Sequence, residues 1–323
     1  MINVAVVGAT GMVGQSFIKV LEEFDLPIQN IVFLASEKSA GKSVTFKGKE
    51  YTVQTLTETS FDQPLDYALF SAGGEVSKHF APIAASKGVI VVDNSSAWRM
   101  DPTVPLVVPE INPEDAFNHH GIIANPNCST IQSVLPLYAL RDYQIKRVVY
   151  STYQAVSGSG YKGILDLKRN IEGEPSVFYP KQILHNVIPQ IDVFLPNGST
   201  KEEEKMVNET RKILHSPAMK VTATCVRVPV FNGHSVAINV EFEKEFTMEE
   251  VITKLKAQKG IKVFEQDYPT ALDVSGQDLT YVGRIRRDES VPNGLNLWVV
   301  ADNIRKGAAS NAIQIIQVLL GSF

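Results

Sequence analysis

The chain has 323 residues, 44% of them hydrophobic and 20% charged, which allows two domains with separate cores. A formal net charge of −4 argues against nucleic acid or an anionic membrane surface as the main partner. Two cysteines, no signal peptide and no apolar run near the length of a membrane span point to a reducing, cytoplasmic compartment, not to a disulfide framework.

Ile2 to Val7 is a near-continuous apolar run, as expected of a parallel strand buried on both faces. It ends in Gly8-Ala9-Thr10-Gly11-Met12-Val13-Gly14, after which Phe17, Ile18, Leu21 and Phe24 repeat at helical spacing. Strand, glycine turn and helix form a dinucleotide-binding fingerprint in a GxxGxxG variant, with the helix N-terminus offering N–H donors to a pyrophosphate. A tight turn with no ligand is the competing reading. Further strand-like runs at 31–35, 67–71, 89–93 and 106–108, with a helical pattern over 76–86, predict a mostly parallel, doubly wound α/β sheet. At the end of the second strand, Ser36, Lys38 and Ser39 suit the 2′-phosphate of NADP, whereas Glu37 would favour NAD if it turned inward.

Gly121 to Ala124 reads as a short buried strand, and Ile131, Val134, Leu135 and Tyr138 place a helix over 129–140. Cys128 in Asn125-Pro126-Asn127-Cys128-Ser129-Thr130 therefore stands at a strand-to-helix junction. Unpaired helical N–H groups and the positive end of the helix dipole favour its thiolate and could hold an oxyanion. The bland alternative is a buried, inert thiol. His119-His120 is a lone pair beside a glycine and reads as solvated loop, and no metal site is expected.

Downstream, Ser157-Gly158-Ser159-Gly160 is a turn whose N–H groups can approach a nicotinamide. Lys201-Glu202-Glu203-Glu204-Lys205-Met206 opens a helix running towards Leu214, a charge run that by itself reads as a solvated face. Cys225 and Arg227 share one face of an alternating strand over 221–228, and a guanidinium among Val226, Val228 and Pro229 needs a partner. His234 follows the turn Phe231-Asn232-Gly233 and precedes a strand over 235–242. Ala308, Ala312, Ile315, Ile316 and Leu319 form an apolar helical stripe after a last strand at 297–301.

Taken in order, the glycine turn, Ser36-Glu37-Lys38-Ser39-Ala40-Gly41-Lys42, Val92 to Arg99, Asn125 to Thr130, Ser151 to Gly158, Cys225 to Pro229 with His234, and Asp302-Asn303 through Gln314 make the chain resemble the aspartate-semialdehyde dehydrogenases over nearly its whole length. The resemblance implies an N-terminal Rossmann domain and a larger α+β catalytic and dimerisation domain of the glyceraldehyde-3-phosphate dehydrogenase type. The implied boundaries are 1–127 for NADP binding, 128–300 for catalysis and dimerisation, and 301–323 for a C-terminal helix returning to the first domain. It also implies NADPH-dependent, reversible reduction of aspartyl 4-phosphate to aspartate 4-semialdehyde and inorganic phosphate through a Cys128 thioester, in a homodimer or tetramer.

Residue by residue, the resemblance makes Cys128 the nucleophile, His234 the acid–base group and Gln154 a polar group aimed at the substrate. Arg227 would clamp the α-carboxylate, Glu202 the ammonium (with Glu203 one register away), and Arg99 and Lys205 the phosphate, with Asn127 beside them. Gly8, Thr10, Gly11, Met12, Val13, Gly14, Ser36, Lys38, Ser39, Ala40, Asn94, Ser157, Gly158, Asn303 and Gln314 would contact the cofactor. Lys38 stands where many relatives carry Arg, and the segment 170–178 is short at the expected subunit interface. The competing functions are N-acetyl-γ-glutamyl-phosphate reductase, whose substrate has no free ammonium for Glu202, and a non-catalytic NADP-binding regulator, which could dispense with Cys128, His234, Arg99 and Arg227.

Overall fold

β1 (Ile2–Val7) is apolar along its length because both faces are covered, and it leads through the glycine turn into α1 (Met12–Glu23). Phe17, Ile18, Val20 and Leu21 bury one side of that helix. In this computed structural model, which describes residues 1–323, the chain then forms β2 (Ile28–Ala35), the hairpin β3 (Ser43–Phe46) and β4 (Lys49–Thr52), the short β5 (Gln54–Thr55), β6 (Tyr67–Phe70), α2 (Gly74–Ser86), β7 (Ile90–Asp93) and β8 (Ile122–Ala124). The main sheet is parallel throughout, in the order β5-β2-β1-β6-β7-β8. Strand order reverses at β1, so the glycine turn lies at the switch point where such sheets bind ligands. The segment 106–108, expected as a strand, makes only an isolated bridge from Leu106 to Ala124. Three apolar residues there fill the core without the length to extend the sheet.

The chain forms two compact units, Met1–Pro126 with Ala308–Phe323, and Asn127–Gly307. The second unit contains α3 (Cys128–Ala139), β9 (Ile145–Gln154), α4 (Gly160–Ile171), α5 (Lys201–Ile213), β10 (Lys220–Arg227), β11 (His234–Phe242), α6 (Met248–Ala257), β12 (Ile261–Val263), the single turn α7 (Ala271–Val274), β13 (Thr280–Asp288) and β14 (Gly294–Ala301). Its sheet is mixed, in the order β10-β9-β11-β14-β13-β12. The period of two along each strand makes the two faces different. Val148 and Tyr150, Val236 and Ile238, and Leu297 and Val299 enter one core with Leu137 of α3, Met206 of α5 and Val251 of α6. The opposite face, including Ser151, Tyr153, Ala237, Asn239 and Trp298, lines an open and mostly apolar groove of about 1230 Å³.

The last helix, α8 (Ser310–Leu319), belongs to the first unit, where Ala312, Ile313, Ile315 and Ile316 join the core under β1 and α1. No helix is long and apolar enough to cross a membrane.

Candidate active site

Pro126 biases Asn125 towards extended backbone, and the next residue, Asn127, is the extended N-cap of α3. Its Oδ1 accepts from the N–H of Ser129 at 2.9 Å and of Thr130 at 3.2 Å, closing two of the orphan donors of the first turn. Cys128 is thereby the first helical residue, half-buried, and not inside the helix as an ordinary core thiol would be. Gly307 packs against it so closely that a methyl group there would come within 2.7 Å of the Cys128 Cβ. Cys225, the other thiol, is fully buried on β10 beside Glu202, and burial first, that charge second, push its ionisation up. It is a core residue.

Around Asn127 the polar groups converge. Its Nδ2 donates to Glu202 Oε1 at 2.8 Å, and Gln154 Nε2 donates to the same oxygen at 3.2 Å. Lys205 Nζ takes the other oxygen of Glu202 at 3.2 Å and reaches Asp192 at 3.1 Å. Glu202 is only 5% exposed, and a carboxylate so placed costs several kcal/mol unless it is paired and hydrogen-bonded. Burial raises its pKa, but Lys205, the Asn127 amide and Arg227 together outweigh burial and hold it below the usual carboxylate value. Glu203 is spent elsewhere: one oxygen closes the capping box on Thr200 and the other accepts from the Cys225 N–H. Of the two neighbouring acids, only Glu202 reaches Asn127 and Gln154. The charge run expected to be a solvated face is in part core-facing.

A second group is organised by the peptide of Ala155. Its carbonyl accepts from Arg227 Nη1 at 2.7 Å and its N–H donates to His234 Nδ1 at 3.0 Å. Arg227 is 4% exposed and His234 is fully buried. Burial first, and then the nearby Arg227 charge, hold the histidine well below its ordinary 6.5, so the ring is neutral at pH 7. With Nδ1 accepting, the proton is assigned to Nε2, which is buried without a partner. An unpaired buried donor costs about 1–3 kcal/mol, a cost removed when a ligand oxygen arrives. The resting tautomer therefore makes His234 a donor towards the site; the proton-accepting role expected from the sequence requires the Ala155 bond to break. Gly158 leaves room for both groups, since a Cβ there would lie 2.7 Å from Arg227 Nη1 and 3.1 Å from His234 Nε2.

The turn 157–160 departs from expectation. The Ser157 N–H donates to the Phe231 carbonyl and that of Gly158 to the Ala155 carbonyl, so neither amide is open to a nicotinamide. The Ser157 hydroxyl and the Asn303 amide bond each other, and Asn303 also accepts from the Gly233 N–H. These two residues brace the loop before His234.

In the first unit, Gly8 has φ +84° and a Cβ on it would meet the Ser71 carbonyl oxygen at 2.5 Å, while one on Gly14 would meet the Gly8 oxygen at 2.1 Å. Gly11 is the N-cap of α1, with no side-chain cap and no acidic residue in the first turn, which leaves the amides of Met12 and Val13 for an anion. Thr10 Oγ1 lies 3.2 Å from Ser39 Oγ, drawing the end of β2 to the glycine turn. Ser36 and Lys38 are exposed there and Ala40 is half-buried. These residues fit a dinucleotide pyrophosphate and a 2′-phosphate. Arg99 is buried and held by the carbonyls of Asn125 and Asn94, each at 2.9 Å. The Asn94 side chain accepts from Asn125, which in turn accepts from Asn311 of α8. Gln314 is half-buried on the same helix.

Two family models match: the NAD-binding domain of semialdehyde dehydrogenase over residues 3–119, and the semialdehyde dehydrogenase dimerisation domain over 135–306. The chain is 55% identical over 332 residues to the aspartate-semialdehyde dehydrogenase of Aquifex aeolicus, covering 98% of each chain. The chain belongs to the aspartate-semialdehyde dehydrogenase family. Aspartate-semialdehyde dehydrogenase II of Vibrio cholerae, solved in complex with ASA, superposes with a TM-score of 0.96 at 47% identity, covering 100% of this chain and 99% of that one. The Candida albicans member, solved with NADP, superposes with a TM-score of 0.78 at 27% identity over 100% of this chain and 99% of its own.

Within this aspartate-semialdehyde dehydrogenase fold, two residues that shape the site were not singled out by the sequence. Gln132 of α3 donates to the His234 carbonyl at 3.0 Å, and Glu209 of α5 accepts from the Asn127 N–H at 2.6 Å. Their spacing within each helix was readable; the distant segments they touch were not.

Proposed function

We propose that Cys128, His234, Arg227, Glu202, Gln154 and Lys205 form the centre that reduces L-aspartyl 4-phosphate to L-aspartate 4-semialdehyde, with NADPH as reductant. The carrying observation is that Glu202, buried and ionised, is bonded to the residue preceding Cys128. A buried anion at that place has a use if the substrate brings an ammonium.

Cys128 at the positive end of α3 attacks the acyl carbon of the aspartyl phosphate. The carbon–oxygen bond to phosphate breaks, inorganic phosphate leaves, and a thioester remains. Gly8, Thr10, Gly11, Met12, Val13 and Gly14 with Ser36, Lys38 and Ser39 would hold NADPH, which when bound would supply the hydride for the thioester. His234 Nε2–H donates to the oxygen on which negative charge develops, and the tetrahedral centre collapses to aldehyde with return of the thiolate to Cys128. Arg227 presents a forked cation to the α-carboxylate, and Glu202, oriented by Asn127 and Gln154, accepts the ammonium. For phosphate, the second unit offers Lys205, a point charge bound to two carboxylates, and the first offers Arg99, whose plane is fixed by backbone carbonyls.

The NADP-binding role belongs to the first unit, 1–126 with 308–323, and catalysis with dimerisation to the second, 127–307; Asn127 and the segment 301–307, expected with the cofactor domain, pack instead with the catalytic one. The enzyme is a homodimer, and the open face of the second sheet is the surface this reading gives to the partner subunit. It works in the cytoplasm, in the synthesis of lysine, threonine and methionine. Kinetics with aspartate 4-semialdehyde and N-acetylglutamate 5-semialdehyde test the substrate assignment. NADP reduction with the first compound and little with the second is expected; the reverse preference contradicts the role of Glu202.

A further inference from the structure

We infer that Glu209 is a positioning residue for the nucleophile, an inference that rests on reading Cys128 as that nucleophile. Glu202, Met206 and Glu209 follow one another at helical spacing on α5 and are 5%, 0% and 1% exposed. All three meet the first turn of α3: Glu202 through the Asn127 amide, Met206 through the Thr130 hydroxyl at 3.5 Å, and Glu209 through the Asn127 N–H at 2.6 Å. The stripe is a docking strip for the start of the cysteine helix.

Glu209 does for α3 what other helices do for themselves. α5, α6 and α7 each close a capping box, in which an acidic side chain at the third helical position returns to the N–H of the N-cap. At that position α3 has Thr130, whose hydroxyl reaches the Asn127 side chain and Met206. The N-cap N–H of α3 is satisfied instead by Glu209, from another helix. Asn127 is thus pinned from two sides, and its backbone cannot swing without breaking a charge-assisted bond in a buried site. A leucine at 209 would extend the apolar stripe of Met206 and Ile213, avoid burying an acid and leave that N–H unpaired. Among the apolar residues Met206 and Ile213, the carboxylate at 209 is set apart by its bond to the Asn127 N–H, which points to alignment of Cys128 as its task.

The full-length enzyme with Glu209→Leu and with Glu209→Gln tests this. Steady-state kinetics are combined with the rate of Cys128 alkylation by iodoacetamide, located by mass spectrometry. Glu209→Leu should lower kcat and the alkylation rate together by roughly 10–100-fold with KM within about twofold. Glu209→Gln, whose amide oxygen can accept the same N–H, should recover most of both. A Leu variant with wild-type kcat and alkylation rate, a defect confined to KM, or a Gln variant as impaired as Leu would overturn the assignment. Should Glu209→Leu not fold, Glu209→Asp replaces it: its shorter acid should lower kcat and alkylation together, and wild-type values would overturn the proposal. Wild-type enzyme that keeps full activity after Cys128 is alkylated refutes the nucleophile itself, a result distinct from any of these.

Discussion

The N–H of Ala155 donates to Nδ1 of His234 at 3.0 Å, and this one bond sets which nitrogen of the ring can act. It leaves Nε2 carrying the proton of the neutral imidazole, inside a fully buried pocket. Protonating Nδ1 would set two N–H groups against each other. Folding therefore favours the neutral ring, in the same direction as burial and the Arg227 charge.

That preference has a consequence for stability. In the unfolded chain His234 titrates near 6.5, and in the fold well below it. Between those values the unfolded state binds more protons, so His234 contributes stability that is complete above 6.5 and is lost as pH falls towards the folded value. Chemical denaturation from pH 8 down to about 5 should show stability falling, with a shallower slope for His234→Asn. An equal slope in the variant would place the acid sensitivity in other groups.

Gly158 offers the sharpest steric test. A methyl group there would lie 2.7 Å from the Arg227 guanidinium and 3.1 Å from His234 Nε2, so both must shift. Gly158→Ala should reduce kcat/KM by about 100-fold or more, the cost of displacing positioned groups by a fraction of an ångström to an ångström. Circular dichroism and NADP affinity should remain those of the parent. Activity within a factor of three would show that neither side chain needs its present place.

Glu202 and Glu203 are adjacent in sequence and opposite in use. Glu202→Gln should raise the KM for aspartate 4-semialdehyde at least tenfold, since the buried anion is lost while the shape is kept. Glu203→Ala should leave KM near the parent value and cost about 1 kcal/mol of stability through the lost cap. Exchanged phenotypes would move the ammonium site by one residue. Denaturation midpoints and initial-rate kinetics on the same two preparations decide it.

The open face of the second sheet bears Ala237 on its central strand β11, at the groove. Ala237→Arg should convert the dimer to monomer in sedimentation velocity by placing an unpaired charge in an apolar interface. A variant that still sediments as the parent dimer would place the interface on another face.

The parts of the site that were legible in the sequence share a local origin. The glycine turn and the cysteine at a helix start are each defined by neighbours within a few residues, whereas His234 after Gly233 is singled out only by the family resemblance. What stayed hidden depends on chain segments far apart. The acidic run at 202–204 reads as solvent-facing because its flanking lysines, themselves at home in water, give no local reason to bury it; its buried partners Asn127 and Gln154 come from the start of α3 and from β9. Glu209 and Gln132 were missed for the same reason. The opposite error occurred at Ser157 and Gly158, whose amides looked open in a glycine-rich turn but are consumed by Phe231 and Ala155.

In the proposed reaction, turnover passes through an acyl group on the sulfur of Cys128. Rapid mixing of enzyme with NADP and aspartate 4-semialdehyde, without phosphate, followed by NADPH absorbance, tests it most directly. A burst approaching one NADPH per active site is expected, then a stall that inorganic phosphate relieves, and no burst in Cys128→Ser. Steady NADPH formation at the full rate without phosphate, or an undiminished burst in the serine variant, would contradict it.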